Sequence, residues 1–481
     1  MIKDMPPVPT IAAVSTAYGE GGIGIVRISG DKAGAILGRL FVRADGADGP
    51  RFDDRRMCYG HVVCPETGDV VDEVLAVFMG APHTYTGEDV AEIHCHGSVV
   101  SLRRVLEAAF RCGAEPASPG EFTQRAFLNG RIDLAQAEAV IDVVRAKTEQ
   151  GARAAVAQLG GGLSARVGNA RGLLADALAL AAVHIDYPDD DKDFADPDSA
   201  QSEMAASLRA ASVRIEALIS TANTGRILRE GLNVVIAGAA NTGKSSLLNA
   251  LLKDARAIVT DIPGTTRDSI EESADIRGLP VRLTDTAGVR DTADEIERLG
   301  IDRTKKAIAD ADLTVFLVDG SREIDKDDIA ALRSVAETRG NILLAVSKSD
   351  LPRTVADADL ARLLREANLP EQLQNKLYTI SLSAKTGEGL ADLEDVIERA
   401  VYDGGAPQSG ELLAVNARHK DLLMRAAAEI ADATEQLTQT GNIDLAETDI
   451  RAAYDSLGEI IGETATDDIL ERIFSRFCIG K

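Results

Sequence analysis

Little in this sequence points to a disulfide-bonded or membrane-spanning protein. Five cysteines in 481 residues, Cys58, Cys64, Cys95, Cys112 and Cys478, follow no C-x-x-C spacing. A chain of this length buries enough core to fold without disulfide or metal staples, so free thiols in a reducing compartment are expected. His94-Cys95-His96 fits no zinc template and reads as a strand end near a turn. No apolar run approaches the roughly 20 residues of a membrane span, so no membrane partner is expected. Residues 1–10 lack a basic segment followed by an apolar one and are too poor in Arg for a transit peptide, so the expected location is cytoplasmic. Bases are scarce too: 52 Lys and Arg stand against 77 Asp and Glu, a net charge of −25. That shortage argues against a nucleic-acid binder that uses its whole surface, because phosphates are neutralised by Lys and Arg; a local basic site stays open.

What is present is an ordinary globular composition, 45% hydrophobic and 27% charged, with length for about three domains. The acidity is concentrated. Residues 181–200 carry net −6 and residues 421–470 net −10, whereas 101–180 carry net +2. Acidic stretches read as solvated helix faces or loops, or as a docking face for a basic partner.

Along residues 1–122, strand-like runs (Ile23–Ile28, Val70–Met79, Val90–His94) mix with helical patterns at Lys32–Phe41 and Val99–Phe110, giving an α+β domain. Residues 123–228 are helical: Ala135–Gln158 and Ser164–Ile185 are separated by Gly160-Gly161-Gly162, where a break is expected. An acidic loop follows at Pro188–Pro197. Ser199–Asn223 is a further helix with Ser199 as N-cap. Residues 229–402 alternate strand (Asn233–Gly238, Val281–Asp285, Leu313–Asp319, Ile342–Ser347, Leu377–Leu382) with helix, the signature of a doubly wound α/β domain. After a turn-rich linker at Gly404–Gly410, helix returns to Phe474 within 403–481. Helical flanks around an α/β domain are compatible with insertion of that domain into a discontinuous helical one. The fold class is therefore multidomain, α/β and α.

Gly238-Ala239-Ala240-Asn241-Thr242-Gly243-Lys244-Ser245 matches G-x-x-x-x-G-K-[ST] between a strand and a helix opening at Ser246. In such a loop backbone N–H groups cradle phosphates, Lys244 reaches the β and γ phosphates, and Ser245 ligates Mg²⁺. Gly264-Thr265-Thr266-Arg267-Asp268 offers Thr266 to the Mg²⁺ shell and the γ phosphate. Asp285-Thr286-Ala287-Gly288 offers an outer-shell carboxylate and the Gly288 N–H. In Ser347-Lys348-Ser349-Asp350, the Asp350 carboxylate accepts from both N1–H and the amino group of guanine, a pair that adenine lacks. Ser383-Ala384-Lys385 suits backbone contact with the guanine oxygen. Together these select GTP.

Two positions depart from the usual pattern. Ser347 stands where Asn is usual, and loss of the amide is expected to weaken loop tethering and base affinity. Val289 stands where many GTPases place a water-orienting Gln. Asp291, Asp294, Glu295 and Glu297 follow it, and read equally as an acidic first turn of a helix.

The P-loop, Thr260-Asp261-Ile262-Pro263-Gly264-Thr265-Thr266-Arg267-Asp268, the Asp285 motif, Phe477-Cys478-Ile479-Gly480-Lys481, Gly22–Gly30 and Pro119–Ala139 resemble the MnmE (TrmE) family of tRNA modification GTPases over nearly the whole chain. The resemblance implies an N-terminal dimerisation and folate-binding domain, a discontinuous helical domain and an inserted G domain, within a homodimer. It implies a K⁺ ion held by the Asn241 side chain and the carbonyls of Thr260, Ile262 and Thr265, standing in for an arginine finger; taken alone, Asn241 reads as a turn residue. It assigns the water-orienting carboxylate to Glu297 and gives Arg290 a supporting role in the switch segment. It places 5-formyltetrahydrofolate, or a related folate, at Arg27, Glu92, Arg131 and Lys481. Arg131 stands where some members have lysine, which keeps the charge and changes the geometry. Each of these residues, taken singly, reads as a surface ion-pair partner. Cys478, between Phe477 and Ile479, reads as packing rather than as a catalytic thiol.

The implied activity is K⁺-dependent GTP hydrolysis coupled to installing a (carboxymethyl)aminomethyl group at carbon 5 of the wobble uridine of certain tRNAs. The FAD-dependent partner MnmG (GidA) would supply the redox cofactor, since no dinucleotide fingerprint occurs here. The competing readings are a regulatory GTPase of ribosome assembly without modification chemistry, and a one-carbon folate enzyme with an ornamental G domain.

Overall fold

The computed structural model describes residues 8–44, 52–186, 197–254, 256–257, 271–285, 306–338, 340–370, 377–402 and 413–481. Chain contacts divide these between two compact units. One comprises 1–141, 159–211 and 425–481; the other comprises 142–158 and 212–424.

The first unit contains a seven-stranded sheet of β1 (Ile11–Val14), β2 (Gly21–Ser29), β3 (Phe41–Arg43), β4 (Cys58–Val63), β5 (Val70–Met79), β6 (Val90–Gly97) and β7 (Glu115–Pro116). Their spatial order is β3-β4-β5-β6-β2-β1-β7, antiparallel throughout except for the parallel β1–β7 pair. The three strand-like runs read from the sequence fall in β2, β5 and β6, and β4 is not among them. Cys58, Gly60 and Val62 of β4 point inward while Tyr59 points out, as a sheet covered on one face requires. Two helices, α1 (Ala33–Leu40) and α2 (Val99–Arg111), cover the inner face through Ile36, Leu37, Leu40, Leu102 and Val105. Ser98 caps α2 by accepting from the Ser101 N–H.

Along the chain, helices α3 (Glu121–Leu128), α4 (Leu134–Arg145), α5 (Glu149–Leu159), α6 (Gly162–Asp186) and α7 (Pro197–Glu230) come before the second sheet and α12 (Ala417–Glu435) after it; α5 falls almost wholly in the second unit, and α4, α7 and α12 are each divided between the two. They are joined by α13 (Ile443–Ile461) and α14 (Asp467–Phe474). The expected glycine break falls between α5 and α6, with Gly161 at φ +86°. Two boundaries differ from the expectation. Ala135–Gln158 is two helices, because the chain leaves the helix at 146–148 before Glu149 opens α5. Ser199 is not an N-cap: α7 already begins at Pro197, and proline suits a first helical position because its missing N–H has no partner to lose there. In the first unit α6 packs on α13. Arg171 fastens the pair, with its guanidinium 4.0 Å above the Tyr454 ring and 2.7 Å from the Glu463 carboxylate.

Segment 477–481 closes back on the N-terminal sheet. Phe474 and Phe477 stack 5.5 Å apart and join Leu134 and Ala137 in a small core. Gly480, at φ +94°, lies so close to β1 that a Cβ there would collide with the Val14 carbonyl. Only glycine meets both demands.

The second unit is built on β8 (Leu232–Gly238), β9 (Arg256–Ala257), β10 (Glu271–Ile276), β11 (Leu279–Asp285), β12 (Leu313–Asp319), β13 (Asn341–Ser347) and β14 (Leu377–Ser381), in the order β14-β13-β12-β8-β11-β10-β9. Strands β14 through β11 are parallel. Every residue of β12 is buried, as expected of a central parallel strand covered on both faces. The helices α8 (Lys244–Asp254), α9 (Lys326–Ser334), α10 (Asp357–Ala367) and α11 (Leu390–Val401) complete the doubly wound pattern. The antiparallel edge β9–β10 has no counterpart in the sequence reading. Glu271-Glu272-Ser273-Ala274-Asp275-Ile276 is too polar to stand out from a loop, and its pairing with β11 is what makes it a strand.

Candidate functional site

Strands β8, β11, β13 and β14 all end on one edge of the parallel sheet, the edge where α/β folds gather ligands. Residues 238–245 join β8 to α8. Within them Asn241 adopts a left-handed φ of +61°, and the Thr242 hydroxyl donates to the Ala239 carbonyl at 2.9 Å. Lys244 Nζ lies across the loop mouth, donating to the Gly238 and Ala239 carbonyls at 3.1 and 2.7 Å. Ser245 donates to Asp285 at 2.7 Å, so the hydroxyl and carboxylate expected around one Mg²⁺ come from different elements and meet. Ser246 is exposed in the first turn of α8.

The base-reading side is equally assembled. Ser383 Oγ donates to Asp350 at 2.7 Å, which orients the carboxylate expected to read guanine. Ala384 and Lys385 follow in the same turn, closed by the Gly387 N–H to the Ser383 carbonyl at 2.9 Å. Lys348, at φ +60°, pairs with Asp319 at 2.5 Å. Burial pushes the Asp319 carboxyl up, but hydrogen bonds from Lys348 and Ser321 and the Lys348 charge outweigh it and hold the group below the usual carboxylate range. At Ser347, where an amide is missing, a hydroxyl makes a contact of its own. Its buried hydroxyl donates to the Thr242 carbonyl at 2.7 Å, with the Val318 carbonyl at 3.2 Å, so a hydroxyl ties the base-reading strand to the phosphate loop. Thr260, Asp261, Ile262, Pro263, Gly264, Thr265, Thr266, Thr286, Ala287, Gly288 and Glu297 lie outside the described residues, as do Val289 and Arg290.

A second cluster lies on the N-terminal sheet. Arg27 on β2 sits opposite Glu92 on β6 and donates to it at 2.9 Å. The other Glu92 oxygen is 3.4 Å from His94 Nε2. The Arg27 guanidinium lies 5.4 Å from the Tyr85 ring centre and 5.8 Å from that of Phe122. Arg131 lies 5.1 Å from the same Tyr85 ring and donates to the Tyr85 carbonyl at 2.9 Å. Thus Arg27 and Arg131 meet on one aromatic ring that sequence reasoning missed, and Glu92 joins them through its pair with Arg27. Tyr85 is held by its hydroxyl, 2.8 Å from Thr123 Oγ1. The fourth, Lys481, directly follows the glycine seated on Val14, one residue from the Ala13 that pairs with Arg27. A carboxylate paired with one guanidinium, beside an aromatic ring that carries a second, can bind a flat ligand that has both donors and negative charge. Among the described residues, no group of three or more His, Cys, Asp or Glu side chains is placed to hold a metal ion.

Residues 10–131 match the family described as GTP-binding protein TrmE N-terminus, and residues 134–478 match the MnmE helical domain. Similar curated proteins include the tRNA modification GTPase MnmE of Geobacter metallireducens, 47% identical over 473 residues and covering 98% of this chain and 99% of that protein. The tRNA modification GTPase MnmE of Alkaliphilus oremlandii is 45% identical over 472 residues, with the same coverage. Among solved structures, the G domain of the T. maritima FeoB iron transporter is 24% identical, covering 35% of this chain and 98% of that one with a TM-score of 0.26.

Proposed function

The chain belongs to the MnmE family of tRNA modification GTPases, and from that premise we propose that it couples K⁺-dependent GTP hydrolysis to modification of carbon 5 of the wobble uridine in certain tRNAs. The observation that carries the nucleotide half is the Ser245–Asp285 contact at 2.7 Å. It joins the phosphate loop to the strand end that precedes residues 286–288, as a magnesium-dependent phosphoryl-transfer site requires. Lys244 binds the β and γ phosphates, and the loop N–H groups orient them. Asp350, aligned by Ser383, selects guanine. Ser245 and Thr266 hold Mg²⁺, whose charge offsets that of the phosphates. Val289 has no group to orient water, and Glu297 takes that role. The Asn241 side chain, exposed beside the loop, and the carbonyls of Thr260, Ile262 and Thr265 hold K⁺, which adds fixed positive charge where negative charge develops.

For the modification half, Glu92 accepts from the amino-amide edge of a folate pterin, while Arg27, Arg131 and Lys481 face its anionic part. Folate supplies the one-carbon unit, and an FAD-containing partner, MnmG, supplies the redox step. The working form is a homodimer with domains 1–122, 123–228 with 403–481, and 229–402. The test is nucleoside analysis of tRNA from a strain lacking this protein. Wobble-uridine modification is expected to disappear, to return with the wild-type chain, and not to return with Asp285→Ala. Unchanged nucleosides in the deletion strain would overturn the reading. GTP hydrolysis at equal rates in K⁺ and Na⁺ would remove the potassium site.

A further inference from the structure

Strands β10 and β11 form a continuous antiparallel pair from Glu271↔Thr284 to Ile276↔Leu279. One end of β11 is Asp285, in contact with Ser245 of the phosphate loop. The other end is the two-residue turn Arg277-Gly278, with both residues at positive φ, +54° and +84°, the geometry that suits tight hairpins. About seven residues of strand place this turn roughly 20 Å from Asp285.

The turn is gripped from two sides. The Arg277 side chain donates to Glu394 and Glu398 on α11, each at 3.2 Å, and also pairs with Asp395. The Arg277 carbonyl accepts from Gln150 Nε2, in the first turn of α5, at 3.0 Å. Gln150 Oε1 accepts in turn from the Tyr402 hydroxyl at 2.6 Å. Burial and the nearby Glu398 push the Tyr402 pKa up to about 12, so this hydroxyl stays a donor. A Cβ on Gly278 would come within 2.8 Å of the Gln150 side chain. Helix α5 precedes the second sheet by more than 70 residues of sequence, and the side-chain hydrogen bonds of Gln150 go to the hairpin turn and to the residue that ends α11.

We infer that the Arg277–Gly278 turn is a coupling joint: the β10–β11 hairpin acts as a stiff lever that carries displacements at its Asp285 end to helix α5 through Gln150. Several features distinguish it from passive packing. The hairpin lies toward one edge of the sheet, with only the short β9 beyond it, and Ala274, Ile276, Leu279, Val281 and Leu283 seat both its strands in the core shared with β8, which keeps it stiff along its length. It follows residues 258–270 and precedes residues 286–305 in sequence, the segments that carry Thr266 and Gly288. At its far end the buried Ile276 and Leu279 anchor the strands, while the turn itself is held by directional polar contacts, which a small displacement breaks or shifts.

The inference rests on guanine-nucleotide binding at residues 238–245, so binding of a fluorescent GDP is measured first for each protein. Its absence would count against the nucleotide site itself. Hydrogen–deuterium exchange of the full chain is then compared with GDP and with a non-hydrolysable GTP analogue. In the wild type, peptides spanning 271–285 and 142–158 are both expected to differ between the two nucleotides. In Gln150→Ala the difference over 271–285 should persist, while that over 142–158 falls roughly twofold or more. Tyr402→Phe, which removes one hydrogen bond and keeps the ring, should give the same pattern more weakly and guards against a folding defect in the first variant. A nucleotide response over 142–158 that is absent in the wild type, or undiminished in both variants, would overturn the joint.

Discussion

Replacing Ser347 by alanine tests whether a hydroxyl has taken over the tether between the base-reading strand and the phosphate loop. The Ser347 hydroxyl is buried and donates at 2.7 Å to the carbonyl of Thr242, itself a fully buried residue. Removing it deletes one hydrogen bond and leaves a buried acceptor without that donor. A net hydrogen bond contributes about 1 kcal/mol, and stranding a buried acceptor costs about 1–3 kcal/mol. Because Thr242 lies inside the loop that must hold its N–H groups on the phosphates, we expect about 1–2 kcal/mol of this to appear as lost nucleotide affinity, roughly 5- to 30-fold in Kd. The assay is titration with a fluorescent GDP, run beside a thermal melt of the same preparation. Discrimination against ADP should not change, because Asp350 and Ser383 are untouched. Affinity within about twofold of wild type would show that the hydroxyl tether is idle and would refute the reasoning.

Asp350→Asn replaces an acceptor with an amide that can donate, and should move preference from guanine toward xanthine nucleotides, whose 2-oxo group accepts; competition binding reads this, and retained GDP preference would count against Asp350 as base reader. The His96–Asp72 pair, with Nδ1 to Oδ1 at 2.7 Å, should stabilise the N-terminal sheet in a pH-dependent way. The hydrogen bond and charge of Asp72 raise the His96 pKa above 6.5, so the stabilisation is fully present below about pH 6.5 and is lost as pH rises through the folded value. Burial opposes ionisation of Asp72, yet its bonds to Ser101 and His96 hold its pKa below 3.8, so its own contribution is lost only in strong acid. His96→Gln should therefore lower Tm more at about pH 5.5 than at about pH 8.5, and equal losses at both would contradict the pairing. Hydrogen bonds from Thr67, then backbone bonds and the nearby Arg111 charge, lower the Cys64 thiol to about 7. Its alkylation rate, followed by mass spectrometry, should rise with a midpoint near that pH, while buried Cys95 and Cys112 lag; slower labelling of Cys64 than of those two would refute the assignment.

The comparison of sequence with structure turns on what kind of signal each feature leaves. Strands β5 and β12 were readable to the residue, because apolar runs bounded by turn residues mark strands, whether wholly buried as in β12 or buried only at Val74, Ala76 and Val77 as in β5. The phosphate loop was readable because its glycines, lysine and serine are spaced by the geometry of one turn. Strand β10 was not: its identity comes from a partner across the turn at Arg277, and no local property of Glu271–Ile276 encodes it. The break at 146–148 was hidden because alanine-rich sequence is equally helical on both sides, and the chain leaves the helix without a glycine or proline to mark it. Arg27, Glu92 and Arg131 were nominated only through the family resemblance, and the ring on which the two arginines meet, Tyr85, sits in a loop between strands, where an aromatic residue has no periodic neighbour to reveal which side chains gather on it. Ser347 illustrates the reverse. The substitution is visible in the sequence, but the carbonyl that its hydroxyl reaches is defined only once β13 and the loop are in place.

The seat of Gly480 on Val14 has a consequence for how the chain is made. Strand β1 leaves the ribosome early, and the glycine that closes against it is synthesised roughly 470 residues later, on the order of half a minute to a minute and a half at bacterial and eukaryotic rates of about 5–20 residues per second. The N-terminal sheet therefore has time to form before its last contact exists. In a chain interrupted before Gly480, the Val14 end of β1 lacks the contact that this glycine makes. Until Gly480 is made, the proposed folate cluster also lacks its fourth member, Lys481, which follows that glycine next to the strand that carries Ala13 opposite Arg27.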